Sequence, residues 1–317
     1  MISEDTVNLL REVFCHPKDY IYEFLTFLRE RHGVGRCAEK RMLRNLVLCL
    51  PESEAAKYQE EIAFLRSSDQ DYLATSVFPY PFVKSRGSVE CGYDAAVKLP
   101  YAVHRGMRLY FTHDDNPQSA RTLYLNYIEN EGLLGTGCLA KSPHSYVVEG
   151  FGVEDGDVLV DVGCAEALFT LDNIEKVKSA YVFETMKKWN APLRATFSPF
   201  ADKVKIVNKF VGGETKGRVV RLSDALPENS DARYFIKMDI EGAEFGVLKG
   251  SADFLRTHRV KLACCLYHRQ DDERRVVGLL RELGFSVQFS DGYMLPTFGG
   301  VAYPYFRRGM VYARNFQ

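Results

Sequence analysis

Beyond residue 150 the chain alternates between short runs of β-branched and aromatic residues and longer stretches with apolar positions at helical spacing. Val158–Val162, Ala180–Glu184, Val204–Asn208, Tyr234–Asp239 and Val260–Tyr267 read as five strands. Helical segments separate most of them, which predicts a parallel sheet with crossover helices. After the fourth strand, Ala243–Leu255 reads as one helix with Phe245, Val247, Leu248 and Phe254 facing the core. Ser286–Ser290 and Met310–Arg314 then close the chain as an antiparallel pair on the sheet edge.

The first half follows a different pattern. Leu9, Leu10, Val13 and Phe14 recur at helical spacing, as do Tyr22, Phe24, Leu25, Phe27 and Leu28, and Arg41–Leu50 and Ser53–Arg66 continue the theme. Phe78-Pro79-Tyr80-Pro81-Phe82 breaks it, because proline also restricts the residue before it, and reads as a linker. Tyr101–His104 and Met107–Thr112 flank Arg105-Gly106 as a hairpin. A helix over Ala120–Glu131 and a loop through Leu134-Gly135-Thr136-Gly137 lead into the sheet. The expected organisation is a helical region over 1–90, a hairpin-and-helix connection over 91–150, and an α/β domain over 151–317.

Composition narrows the class. With 46% hydrophobic and 26% charged residues the chain has the make-up of a soluble globular protein. Lys and Arg total 41 against 42 for Asp and Glu, so no net charge draws it to nucleic acid or an anionic membrane. The pairs Arg274-Arg275 and Arg307-Arg308 read as solvated surface. No apolar stretch reaches the roughly 20 residues a membrane span needs, and Met1–Asp5 lacks the basic start of a signal peptide. Eight cysteines without a C-x-x-C pair read as reduced thiols of a cytoplasmic protein.

Ligands of open α/β sheets bind beyond the carboxyl ends of the strands. There the first strand runs into Asp161-Val162-Gly163-Cys164-Ala165-Glu166-Ala167, where Gly163 permits a tight turn and a close ligand. The lone glycine disfavours a dinucleotide pyrophosphate. The second strand ends in Glu184, placed to accept hydrogen bonds from the ribose of an adenosine cofactor. The fourth ends in Asp239, and Gly242 then turns the chain so that Glu241 and Glu244 fall at a helix start, which favours negative charge. His268 follows the fifth strand, beside Tyr267.

VLVDVGCAEALF, YVFE, IKMDIEGAEFGVLKG and CCLYHRQDD together resemble the FkbM-type methyltransferases, an S-adenosylmethionine (SAM)-dependent O-methyltransferase family with the class I Rossmann-like fold. The resemblance spans about 141–315 and is most specific at KMDIEGAE with its following LKG; KSPHSY (141–146) and RRGMVYARN resemble a branch found in polysaccharide biosynthesis. It implies SAM as cofactor, with Asp161, Gly163, Cys164, Ala165 and Glu166 near the methionine moiety. Glu184 matches the ribose acid, Asn208 the adenine pocket, and Ser223-Asp224 its rim. Ala167 stands where many members have a second glycine, at little cost if its φ is negative. Trp189 reads as core or as an adenine neighbour.

The implied reaction is O-methylation of a hydroxyl on a small molecule, sugar or glycan precursor. Asp239, Glu241 and His268 are the candidate bases, with His144 and Tyr267 against the acceptor. Glu241 stays open between acceptor chemistry and helix start, and Glu244 reads as helix start. No metal is expected, Mg²⁺ on Asp239 and Glu241 being the alternative. The competing readings are an inactive methyltransferase-like assembly module and a nucleotide-dependent dehydrogenase. A homo-oligomer is left open.

Overall fold

A computed structural model describes residues 36–68, 77–81, 88–131, 141–227, 231–296 and 303–316. The helical patterns around 9–14 and 22–28 and the loop at 134–137 lie outside the described residues. Helix α1 (Arg36–Leu48) is followed by α2 (Glu52–Ala55), a 3₁₀ turn over Ala56–Tyr58, and α3 (Gln59–Ser67). Pro51, with no N–H to continue a helix, separates α1 from α2. Leu43, Val47, Ile62 and Leu65 of these helices bury against Leu295 and Phe306 near the chain's end.

Phe78 and Tyr80, in the segment read as a linker, are both 3% exposed. The prolines hold that strip extended, and the Tyr80 hydroxyl donates to Glu61 at 2.5 Å while accepting from the Tyr293 N–H at 2.6 Å. The strip is therefore a strap tying α3 to the last strands.

Strands β1 (Cys91–Asp94), β2 (Leu99–His104) and β3 (Met107–Tyr110) form an antiparallel sheet in that order. The expected turn at Arg105-Gly106 has both residues at positive φ (49° and 81°), the conformation a two-residue hairpin needs. Helix α4 (Pro117–Asn130) starts three residues before the sequence reading, because Asn116 and Ser119 form a capping box and Pro117 suits the first position.

The main sheet then begins with β4 (Val158–Val162), α5 (Leu168–Asn173), β5 (Ser179–Phe183), α6 (Asn190–Thr196) and β6 (Val204–Val207). A small parallel pair, β7 (Phe210–Val211) and β8 (Val219–Val220), precedes α7 (Leu222–Ala225) and β9 (Arg233–Met238). Next come α8 (Glu244–Gly250), α9 (Ala252–Thr257), β10 (Arg259–Cys265), α10 (Asp272–Glu282), β11 (Ser286–Phe289) and β12 (Met310–Arg314). The seven strands run in the order β11-β12-β10-β9-β4-β5-β6. All neighbours from β10 to β6 are parallel, and β12 is antiparallel to both β10 and β11.

The single helix expected over 243–255 is two. Gly250 passes so close to the backbone of Gly213 that a Cβ there would overlap it, and the chain bends at Ser251 before α9.

Alternate residues of each central strand serve two cores. Val158, Val160, Tyr234, Ile236 and Leu262 pack on one face under Val247, Leu248, Phe254 and Val276. Leu159, Phe235 and Ala263 pack on the other, against Tyr124 and Leu125 of α4 and Leu168 of α5. Trp189 belongs to this second core and is 5% exposed. From β4 the chain builds outward through β5 to β6, then returns to place β9 on the other side of β4. That reversal puts a crevice where the carboxyl ends of β4 and β9 meet.

Candidate active site

Asp161 and Lys237 sit directly opposite each other on β4 and β9. A lysine inside a buried strand needs a partner, and the Lys237 ammonium has Asp161 Oδ1 at 3.1 Å and donates to Gly163 O at 2.6 Å. The Thr170 hydroxyl donates to the other Asp161 oxygen at 2.8 Å. The two oxygens of Asp161 thus face Lys237 and Thr170, and the carboxylate holds the lysine in place. Burial would lower the Lys237 pKa, but the Asp161, Asp239 and Glu131 carboxylates hold it above its usual value.

The turn after β4 is left-handed at Gly163, Ala165 and Ala167 (φ 76°, 46° and 61°). Gly163 lies against the Asp239 carbonyl, and a Cβ would overlap that oxygen. Its glycine is needed for packing two strand ends together. Ala167 takes the conformation a glycine would, so the condition for a low-cost alanine is not met. An L-residue there is strained by about 1–2 kcal/mol. Ala167→Gly therefore stabilises the protein by about 0.5–1 kcal/mol after the entropic cost of glycine, read as a rise in urea midpoint at unchanged m-value; an unchanged or lower midpoint contradicts the strain.

Glu184 ties the same region together. One carboxylate oxygen accepts from Ala165 N at 3.0 Å and the other from Met186 N at 2.6 Å. Asn208 donates to Glu184 O at 3.3 Å and to Asn190 Oδ1 at 2.6 Å, which joins the ends of β5 and β6. Two residues beyond each, Met186 and Phe210 are exposed by 53% and 51%, large apolar groups left uncovered beside the strand ends. Ser223 and Asp224 lie exposed on α7, where Asp224 accepts from Ser223 and Thr215. No described hydrogen bond links that pair to the Asp161–Glu184 turn. The Cys164 side chain is 4% exposed and belongs to the core.

Glu166, 4% exposed, has its carboxyl pushed up to about 7 by burial, against the pull of Lys237. Glu131, at the end of α4, is likewise raised by burial and by Glu166. The sequence reading did not include Glu131, and its position at the end of an otherwise ordinary helix carries no signal.

Asp239 is the centre of a second group. The Tyr146 hydroxyl donates to it at 2.8 Å and that of Tyr267 at 3.3 Å. His144 Nε2 stands 3.4 Å from one oxygen and His268 Nε2 3.3 Å from the other. Burial would raise the Asp239 pKa, but the His144 hydrogen bond and the positive charges of His144, Lys237 and His268 hold it far below the carboxylate range. So firmly ionised a group is a poor proton acceptor. Of the three candidate bases, Asp239 is best suited to holding the others in place.

His144 and Tyr267 do converge on this centre, ring centroids 5.1 Å apart and edge to face. The hydroxyl of Tyr312 donates to Ser145 O at 2.6 Å, and Gly309 leaves no room for a Cβ against Pro143 O, which fixes the 141–146 segment on β12. Arg307, buried, donates to Tyr267 O at 2.7 Å and holds the turn after β10.

Glu241 takes φ 57°, and its side chain is 88% exposed with Oε2 3.6 Å from His268 Nε2. Glu244 does the opposite. It is 0% exposed, accepts from Ile240 N at 2.9 Å, and has Oε1 3.0 Å from His268 Nδ1. The three acids of IKMDIEGAE thus point to three environments. Burial lowers the His268 pKa, but the Glu244 hydrogen bond and the Asp239, Glu244 and Glu241 charges leave it above 6.5. Two sets of donor atoms, His144/Asp239/Cys265 and Asp239/Glu244/His268, lie within 4.8 Å of one another. In the second, the imidazole already bridges both carboxylates.

Residues 158–287, from the start of β4 into β11, match the Methyltransferase FkbM domain family. Over those residues the chain is similar to the FkbM methyltransferases. The match includes Asp161, Glu184, Asp239, Glu244 and His268, whereas Glu131, His144 and Tyr146 lie before it. Among solved structures, methyltransferase FkbM from Methylobacillus flagellatus KT is 21% identical over 63% of this chain, with a TM-score of 0.44. This chain spans 55% of that protein. Precorrin-6y C5,15-methyltransferase from Geobacter metallireducens GS-15 is 18% identical over 51% of this chain and 79% of its own, TM-score 0.34. Sp1610 of Streptococcus pneumoniae, a putative tRNA (m1A22) methyltransferase in complex with S-adenosyl-L-methionine, is 18% identical over 52% of this chain and 69% of its own, TM-score 0.34. No curated protein matches the chain.

SAM is the cofactor of an FkbM domain, and the residues present suit it. Exposed Met186 and Phe210 offer apolar surface to a base beside Glu184 and Asn208. No helix among the described residues is long and apolar enough to cross a membrane.

Proposed function

We propose that the protein is an O-methyltransferase that methylates a hydroxyl of a sugar or glycan precursor in the cytoplasm. SAM supplies an electrophilic methyl group on a cationic sulfur. In the transfer a C–O bond forms, the S–C bond breaks with its electrons staying on sulfur, and the hydroxyl proton must leave. His268 carries this reading: a histidine at a strand's carboxyl end, with one ring edge toward exposed Glu241, takes that proton. The ionised Asp239 orients the His268 and His144 rings and favours positive charge beside the switch point. Glu184 and Asn208 hold the adenosine.

The sugar acceptor rests on the resemblance of KSPHSY and RRGMVYARN to polysaccharide-biosynthesis proteins. It is also consistent with the described N-terminal helices forming an acceptor-side wall. Lys141, three residues before His144, pairs with Glu60 of α3 at 2.7 Å, so that region reaches the loop that cages Asp239.

Calorimetry with SAM and S-adenosylhomocysteine tests the cofactor half, and labelled SAM with a panel of saccharides the acceptor half. Glu184→Gln is expected to weaken SAM about 10–100-fold, the range for a hydrogen bond to a charged group. No binding at millimolar SAM rejects the proposal; binding with label appearing on no saccharide rejects the acceptor.

A further inference from the structure

We propose that His144 Nε2, Asp239 Oδ2, Cys265 Sγ and the Tyr267 hydroxyl form a four-coordinate site for one divalent ion of the zinc class. The site stands apart from the methyl-transfer reading, since it concerns what holds the strand ends together. Its donors come from three stretches of chain: His144 from the 141–146 segment seated on β12, Asp239 just beyond β9, and Cys265 and Tyr267 at the end of β10. His144 and Cys265 are 121 positions apart, so no ligand spacing marks the site in the sequence. Both are buried, His144 at 8% exposed and Cys265 at 0%.

Around His144 Nε2 stand the Tyr267 hydroxyl at 3.3 Å, Asp239 Oδ2 at 3.4 Å, the Tyr146 hydroxyl at 3.4 Å and Cys265 Sγ at 3.7 Å. A ring nitrogen makes one hydrogen bond, as donor or as acceptor, and a well-made N–H···O bond measures about 2.7–3.2 Å. Four polar neighbours, none closer than 3.3 Å, exceed what that nitrogen can bond. They have instead the spacing of ligands around a common centre. A tetrahedral ion with bonds of about 2.0–2.1 Å to nitrogen and oxygen and about 2.3 Å to sulfur keeps N and O ligands about 3.3 Å apart, and sulfur about 3.6 Å from nitrogen. Asp239 Oδ2 lies 3.4 Å from the Tyr267 hydroxyl, which closes a third edge of the same length. The His144, Asp239 and Cys265 donor atoms all lie within 4.8 Å of one another. The Tyr146 hydroxyl, which donates to Asp239 at 2.8 Å, is a hydrogen bond outside the set and orients the carboxylate.

Thiolate, imidazole and carboxylate are the ligand types zinc takes, and the sulfur disfavours Mg²⁺ and Ca²⁺. Glu241, its side chain 88% exposed, is not among the donors, which separates this site from a magnesium pair on Asp239 and Glu241. As the ion binds, a metal–sulfur bond forms and the Cys265 S–H bond breaks, its proton leaving to solvent. The thiolate and the Asp239 carboxylate then balance the two charges of the ion, while His144 and Tyr267 coordinate as neutral groups. All four positions are filled by protein, so the ion clamps the 141–146 segment to the ends of β9 and β10 rather than activating a water. Asp239 Oδ1 still faces His268 at 3.3 Å.

Cobalt(II) titration of the full chain, first stripped of metal by a chelator, tests the site without SAM or acceptor. One Co²⁺ per chain is expected, with the strong visible bands of a four-coordinate ion and a near-ultraviolet thiolate-to-cobalt charge-transfer band, all lost on adding Zn²⁺. Cys265→Ser is expected to remove the charge-transfer band, and His144→Ala to weaken Co²⁺ by more than about tenfold. Weak six-coordinate bands alone overturn the proposal. So does a charge-transfer band that survives Cys265→Ser in full, which would place the ion on another of the eight cysteines. Should Cys265→Ser fail to fold, an unchanged titration of folded His144→Ala overturns it equally.

Discussion

Lys237→Met lowers the unfolding free energy by about 3–5 kcal/mol, the usual cost of removing one partner of a buried ion pair. Lys237 is 5% exposed and Asp161 0%, so the lost ammonium leaves Asp161 ionised in the interior with only Thr170 to stabilise it. The methionine stem fills the space of the lysine stem, so packing contributes little to the loss. Urea titration at pH 7 reads the effect as a fall in midpoint. The double variant Asp161→Leu with Lys237→Met is expected to recover most of it, because apolar pairs of similar size often replace buried ion pairs at no net cost. A single-variant loss under about 1 kcal/mol, below the range for a broken buried pair, would mean that Asp161 is hydrated. For the same reason Asp161→Ala is a poor probe of cofactor binding: it strands the lysine, and the fold suffers first.

Gly163→Ala is the second large effect, at about 3 kcal/mol or more. A left-handed L-residue costs about 1–2 kcal/mol, and over-packing typically adds about 1–3 kcal/mol. The overlap here is with the Asp239 carbonyl, a backbone atom of the neighbouring strand end that cannot rotate aside. Displacing it also moves the Asp239 carboxylate away from His144 and His268. The expected result is a lowered melting temperature together with a loss of SAM affinity in the surviving folded protein. Full affinity at a normal melting temperature would show that the β4 and β9 ends can separate freely.

Much of the fold was legible because its signals are local. Val158–Val162 is apolar on both faces, and such a run is stable only between two layers. Strand ends were read one residue long at Glu184, Asn208 and Asp239, since side-chain character does not mark the last ladder hydrogen bond. The break at Ser251 was missed because its cause is Gly213, far away in the chain, passing against Gly250. Lys237 could have been found. A lysine flanked by Phe235, Ile236 and Met238 demands a carboxylate, and the only acid inside the neighbouring run is Asp161.

By itself the sequence determined the order of strands and helices, the acids at strand ends, and the FkbM character of residues 158–287. Each depends on periodicity or on residues a few positions apart. Tertiary structure alone decided what those acids do. Tyr146 meets Asp239 across 93 positions of chain, and His144 meets Tyr267 across 123. Within one short stretch, Asp239 is caged, Glu241 exposed and Glu244 buried on His268. Identical carboxylates differ in proton affinity through burial and neighbouring charge, and both are set only once distant segments have packed together.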